Sequence, residues 1–238
     1  MIAGGDGRFL LKTEVVHLTK STLSFGHIPH QRYGAAGAMF ANGPILCGGE
    51  NGALDYFNSC ISFQNSKWSK SHSMRSKKGF PAGVLINSTT FWILGGIYHI
   101  ADHQDTTEFI IQDQTNGVPG PRLPYGIDSM CAVKRSEKEI FVIGGKGSQG
   151  DLGKKVWIYD PQNEFARNRG PSLHTNRFGH SCSTMTDGEK IVIIVAGGEY
   201  AESLKTVEIY DPTDKTWHSG INKFLIRYKI NLHRRSRH

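Results

Sequence analysis

The chain has 238 residues, 38% hydrophobic and 21% charged, enough to bury the core of one large or two small globular domains and ordinary for such a protein. The longest strongly apolar run, Ile191 to Ala196, is far short of the roughly 20 residues a membrane-spanning helix requires. Of the formal net charge of +7, six positive charges fall in residues 221–238, which hold no acid, so the remaining 220 residues are close to neutral and the folded body carries no nucleic-acid footprint. That leaves a tail, 221–238, whose basic end could touch phosphates but reads first as a solvated extension.

The N-terminus, Met1-Ile2-Ala3-Gly4-Gly5, has neither the basic nor the apolar region of a secretory signal, which points to the cytoplasm, whereas a truncated start would allow secretion. From there a repeat organises the chain. Gly-Gly pairs close apolar stretches at 4–5, 48–49, 95–96, 144–145 and 197–198, with first glycines 44, 47, 49 and 53 residues apart. Each pair after the first follows a strand-like run: Ile45-Leu46-Cys47, Phe91 to Leu94, Ile140 to Ile143 and Ile191 to Ala196. After each pair come a polar loop and a second strand, at Thr13–Val16, Cys60–Phe63, Thr107–Ile110, Val156–Tyr159 and Val207–Tyr210. Two of these end in an Asp-Pro turn, Tyr159-Asp160-Pro161 and Tyr210-Asp211-Pro212, and a bulky aromatic follows as Trp68, Phe165 and Trp217.

Twin glycines, then Tyr-Asp-Pro, then Trp, at a period near 50, resemble the kelch repeat, in which each repeat is one four-stranded blade of a β-propeller. The resemblance covers residues 1–220. It implies an all-β fold of about five blades: an incomplete one at 1–25, then 26–71, 72–118, 119–170 and 171–220, with an open or truncated propeller as one outcome. Labelling strands A to D from the axis outward, the first blade lacks strand A. Residues 223–230 are a poor substitute, which suggests a fragment or a differently joined C-terminus. The structural repeat rests on Gly48, Gly49, Gly95, Gly96, Gly144, Gly145, Gly197 and Gly198, where blades crowd together, and on Trp68 and Trp217 in the outer gaps.

In an up-and-down sheet the B–C and D–A connections share one end, and in kelch propellers this end is the usual binding surface. The resemblance therefore implies a non-catalytic protein-interaction module. Its candidate contact residues are Asn51, Asp55, Tyr56, Tyr98, His99, Lys146, Glu199 and Tyr200 in B–C loops. Arg32, Arg75, Arg122 and Arg177 stand near the D–A junctions, where one arginine per blade also suggests a repeated pairing with strand-C carboxylates such as Glu14, Glu108 and Glu208.

Motifs for catalysis are weak. Gly145-Lys146-Gly147-Ser148-Gln149-Gly150 matches a dinucleotide fingerprint, but a strand follows it where pyrophosphate binding needs a helix N-terminus. His99, Asp102 and His103 lack the helix that would bring them onto one metal, and no cofactor is expected. Galactose oxidase shows that a kelch propeller can carry copper, but its ligand set cannot be placed on these residues. Cys47 and Cys60 flank one B–C loop on neighbouring strands; a disulfide there would imply an oxidising compartment and a secreted propeller binding an extracellular ligand or glycan. Cys131 and Cys182 read as buried spacers. Asn87-Ser88-Thr89 is a glycosylation sequon, usable only outside the cell.

Overall fold

A computed structural model describes residues 2–3, 12–17, 20–149 and 152–220, with side-chain environments from residue 26 onward. The twin glycine at 4–5, the loop at 6–11, Gly150 and the tail 221–238 lie outside the described residues. The fold is all-β, and its helical content among the described residues is one 3-10 turn, Leu152–Lys154.

A three-stranded sheet comes first: β1 (Ile2–Ala3), β2 (Lys12–His17) and β3 (Lys20–His27) in the order β1-β2-β3. Four antiparallel four-stranded sheets follow. The first is β4 (Ala36–Phe40), β5 (Gly43–Cys47), β6 (Ser59–Gln64) and β7 (Lys67–Ser73); the second is β8 (Ala82–Asn87), β9 (Thr90–Leu94), β10 (Thr107–Ile111) and β11 (Val118–Pro119). Ahead of the third, β12 (Ile127–Asp128) pairs with β15 (Lys146–Gly147), and the blade itself is β13 (Cys131–Ser136), β14 (Glu139–Ile143), β16 (Val156–Asp160) and β17 (Ala166–Arg169). The fourth is β18 (Ser181–Asp187), β19 (Lys190–Ala196), β22 (Val207–Asp211) and β23 (Thr216–Ser219), with a small ribbon, β20 (Glu199–Tyr200) and β21 (Glu202–Ser203), in its B–C loop. The A strands β4, β8, β13 and β18 pack against one another in succession, so the sheets fan from a common axis.

Because the inner blades are covered on both faces, their B strands read as unbroken apolar runs. In β9, Phe91 and Ile93 face the preceding blade, in one cluster with Ile45, Cys47 and Ile110. Trp92 and Leu94 face the following blade, against Ile140, Val142 and Tyr159. In β14, Phe141 and Ile143 repeat this against Ile193, Val195, Tyr210 and Trp217 of the next sheet. The core is thus a series of layers between blades, and each fully buried large side chain contributes about 1.5–3 kcal/mol. Trp217 is buried and donates its indole N–H to the carbonyl of Pro171 at 2.9 Å; Trp68 packs with Ile28, Leu46 and Ile61. Tyr159 and Tyr210 are buried, while Asp160 and Asp211 accept main-chain bonds from Gln162 (2.9 Å) and Thr213 (2.8 Å) around Pro161 and Pro212.

All eight glycines of the described pairs have positive φ, from +57° to +107°. In three of the four described pairs the second glycine ties blades together: the N–H groups of Gly49, Gly96 and Gly145 donate to the carbonyls of Lys78, Ile127 and Arg177 in the next blade at 2.8, 2.9 and 3.0 Å. A Cβ on Gly95 would collide with the Ile127 carbonyl, whereas one on Gly197 would meet nothing nearer than 3.8 Å.

All four cysteines are bonded. Cys47 and Cys60 are direct cross-strand partners with Cα atoms 4.0 Å apart. Cys131 and Cys182 join β13 to β18 across two blades with Cα atoms 6.0 Å apart, which corrects their reading as unpaired spacers. They meet because both lie near the start of an A strand, and successive A strands are neighbours at the axis.

Candidate binding face

The site is built from the residue that follows each twin glycine. Glu50, Ile97, Lys146 and Glu199 occupy this place in the four complete blades, and each pairs with one residue of the preceding D–A junction: Tyr33, Gly79, Asp128 and Phe178. The rungs are short, as in Gly79 N–H to Ile97 carbonyl at 2.7 Å and the reciprocal bond at 2.7 Å. These rungs bring the B–C loops and D–A junctions to the same end of the sheets.

One residue further on, the junctions bond to each other around the axis. Phe80 N–H donates to the Gly34 carbonyl (2.9 Å), Ser129 to Phe80 (2.9 Å) and Gly179 to Ser129 (2.7 Å). All four residues have positive φ, +61°, +50°, +53° and +62° in chain order. Glycine accepts this conformation readily; Phe80 and Ser129 hold it at a cost of about 1–2 kcal/mol each. Both strained residues border the central depression.

That depression has a volume of about 400 Å³. Its walls are Tyr56, Phe80, Ile97, Ile100 and Phe178, and its polar groups are His103, Asp128, Ser129 and Lys146. Asp128 is buried, its carboxylate accepting from Ser129 Oγ at 2.7 Å and lying 2.5 Å from His103 Nδ1. Lys146 Nζ rests 5.5 Å from the centre of the Phe178 ring, and Tyr33 stands edge-on to Phe80 with ring centres 5.0 Å apart. A shallower hollow of about 240 Å³ continues from Lys146 and Phe178 toward Tyr200.

Asn51, Tyr98, His99, Lys146, Glu199 and Tyr200 are exposed on this end. Asp55 is exposed and paired with Lys77 at 2.9 Å. Arg32 and Tyr56, by contrast, are only 4% and 5% exposed. Tyr56 still presents an edge to the depression. Arg32 is out of a partner's reach, because its guanidinium is spent internally on the Gly48 carbonyl (2.6 Å), the Ser59 carbonyl (3.0 Å) and Ser59 Oγ (2.7 Å), over the Phe57 ring. Burial lowers its pKa to about 10.

The repeated arginine also needs correction. Register through the rungs, which pair the next residue along, places Arg32, Lys78, Ile127 and Arg177 at one position, not Arg75 and Arg122. Arg177 is fully buried and bonds the Gly197 carbonyl (2.7 Å), Thr206 and the Glu208 carboxylate (2.9 Å). Lys78 does the same work with its amine on the Thr106 carbonyl (3.1 Å) and hydroxyl (2.8 Å), and burial brings its pKa down to about 8. Glu108 instead accepts from the main-chain N–H groups of Arg75 (2.6 Å) and Ser76 (3.3 Å), and Arg122 pairs with Asp105 at the surface (2.6 Å). The Glu14 side chain lies outside the described residues.

Sequence reasoning missed Phe80, Ile100, Asp128, Ser129 and Phe178. The signal for four of them was the offset from the arginine position: the residue one or two places further on lines the depression. Among the described residues no three His, Cys, Asp or Glu side chains come together as a metal site. No helix follows Gly145 to receive a pyrophosphate, only the turn Leu152–Lys154 and then β16. Among the described residues no helix is long and apolar enough to cross a membrane.

The Kelch motif family profile matches residues 180–220. Kelch-like protein 25 of Xenopus tropicalis is 35% identical over 106 residues, covering 42% of this chain and 17% of that protein. The Homo sapiens protein of the same name is 30% identical over 106 residues, with the same coverage. The chain thus spans about a sixth of the length of these curated relatives. The solved structure of YjhT superposes with a TM-score of 0.67 at 12% identity, over 84% of this chain and 72% of that one.

Proposed function

We propose that this chain, a β-propeller whose residues 180–220 match the Kelch motif, is a non-catalytic protein-interaction module that binds a protein partner through its B–C loops and D–A junctions. One observation carries the reading. Of the eight exposed large hydrophobic side chains among the described residues, five (Tyr33, Leu54, Tyr98, Ile100 and Tyr200) lie on that end, around the central depression. Apolar and aromatic groups clustered at a surface concavity favour association, because burying them against a partner removes them from water. The strained, hydrogen-bonded junctions beneath them give a rigid floor, which lowers the entropic cost of binding.

The test is affinity capture with the wild-type chain, a Tyr98→Ala/Tyr200→Ala variant and a Met39→Ala/Ile191→Ala variant carrying changes to exposed residues elsewhere. Specific partners are expected to be lost with the first variant and retained with the second. An unchanged set of captured proteins with the tyrosine variant refutes the assignment.

The bonded cysteines favour a second reading, a propeller in an oxidising compartment whose partner is an extracellular ligand or glycan. Mass spectrometry of non-reduced peptides from the native source decides between them. Linked Cys47–Cys60 and Cys131–Cys182 peptides support the extracellular reading, and four alkylatable thiols support an intracellular one.

A further inference from the structure

The central depression combines apolar walls with one carboxylate, Asp128, which already meets His103 and Ser129, and a second carboxylate beside its Tyr56 wall has an oxygen without a donor. Glu50 is 6% exposed, and its Oε2 atom has no hydrogen-bond donor. Its main chain bridges Tyr33 on one side and Tyr56 on the other, which places it beside the wall of the depression. The Tyr56 phenol senses both acids: its pKa is raised by burial first, then by the charges of Glu50 and Asp128. Glu199 is the second acid among the four described positions after the twin glycines, and Lys146 is the one cation there. Lys146 is held over Phe178.

A buried carboxylate without a donor is costly and becomes favourable once a cation reaches it. Aromatic walls suit the same guest, since a ring face attracts a cation and the apolar edges accept the methylene stem of lysine or arginine. We propose that the depression receives a basic side chain, lysine or arginine, from a partner segment, with Glu50 and Asp128 supplying charge and Tyr56, Phe80 and Phe178 the walls. This rests on the loop-end binding reading and names the chemistry of its partner. Lys146 lines the same depression, so its positive charge opposes entry of the guest.

The experiment uses the full chain and three synthetic nonapeptides that share a Gly/Ser background and flanking Leu and Tyr, with Arg, Gln or Glu at the centre; binding is followed by fluorescence anisotropy. The Arg peptide is expected to bind at least roughly tenfold tighter than the Glu peptide, a difference that shrinks as salt rises. Glu50→Gln should weaken the Arg peptide roughly tenfold while leaving thermal stability unchanged or higher, because no donor is lost. Lys146→Ala should tighten it. Equal binding of the three peptides, absence of binding by all, preference for Glu, or weaker Arg binding in Lys146→Ala overturns the inference. A Glu preference that is still lost in Tyr98→Ala/Tyr200→Ala overturns only the basic guest. Partner capture that ignores those tyrosines overturns the face itself.

Discussion

Arg177 is fully buried and makes four side-chain hydrogen bonds, and Arg177→Met tests whether it holds the fourth blade together. Methionine preserves most of the side-chain volume, so the cost is electrostatic rather than a cavity. The guanidinium bonds the Gly197 carbonyl at 2.7 Å, the Thr206 carbonyl at 3.2 Å, the Thr206 hydroxyl at 3.1 Å and Glu208 at 2.9 Å, and both charged groups are at most 2% exposed. Removing one member of a buried pair costs about 3–5 kcal/mol. Glu208 keeps the main-chain donors of His174 (2.7 Å) and Thr175 (3.2 Å), so the low end, about 3 kcal/mol, is expected. For a domain of this size that is a fall in Tm of about 6–12 °C, read by tryptophan fluorescence, with urea unfolding for the free energy. The double variant Arg177→Met/Glu208→Gln should lose at least about 1 kcal/mol less than the sum of the single losses, because the stranded charge is gone. The third blade supplies the precedent: there Ile127 and Trp157 fill the equivalent places without any charge. Additivity within about 0.5 kcal/mol, or a single-variant loss below about 1 kcal/mol, refutes the pair as the source of the stability.

Two further outcomes follow from the interior. Burial, then the nearby Arg177 cation, holds the His180 pKa down at about 4, so the unfolded chain binds more protons between that value and the ordinary 6.5. Stability should therefore fall as pH drops through this window, by on the order of 3 kcal/mol, and His180→Phe should flatten the slope in urea unfolding at stepped pH. Gly95→Ala should destabilise far more than Gly197→Ala, although both glycines have positive φ (+57° and +67°), because only the former would drive a Cβ into the next blade. A loss of about 1 kcal/mol for Gly197→Ala and at least about 3 for Gly95→Ala is expected in thermal melts; equal losses contradict the crowding argument.

The strands were legible because two-sided burial writes itself into sequence. Phe91 to Leu94 and Ile140 to Ile143 are apolar throughout, since alternate residues serve different neighbours, and the twin glycines mark where each run must stop. The Cys131–Cys182 bond was not legible, as it depends on which A strands lie side by side around the axis and on nothing local to either cysteine. Searching for a recurring arginine misled for a related reason. The position conserves a place rather than a residue type, so Lys78 and Ile127 went unseen while Arg75 and Arg122, a few residues away, looked like its copies. The depression was hidden because it is assembled from four blades, with Tyr56 from the first, Phe80 to His103 from the second, Asp128, Ser129 and Lys146 from the third and Phe178 from the fourth, so nothing local to any one stretch announces it.

The bonds from Phe80 to Gly34, Ser129 to Phe80 and Gly179 to Ser129 involve only main-chain atoms. A collar of this kind is indifferent to the side chains mounted on it, provided each tolerates a left-handed backbone. Exchanging Phe80, Ser129 or their neighbours should consequently retune what the mouth recognises while the underlying lattice stays put. Such a scaffold can diversify its specificity through point changes, with little need to rebuild its architecture.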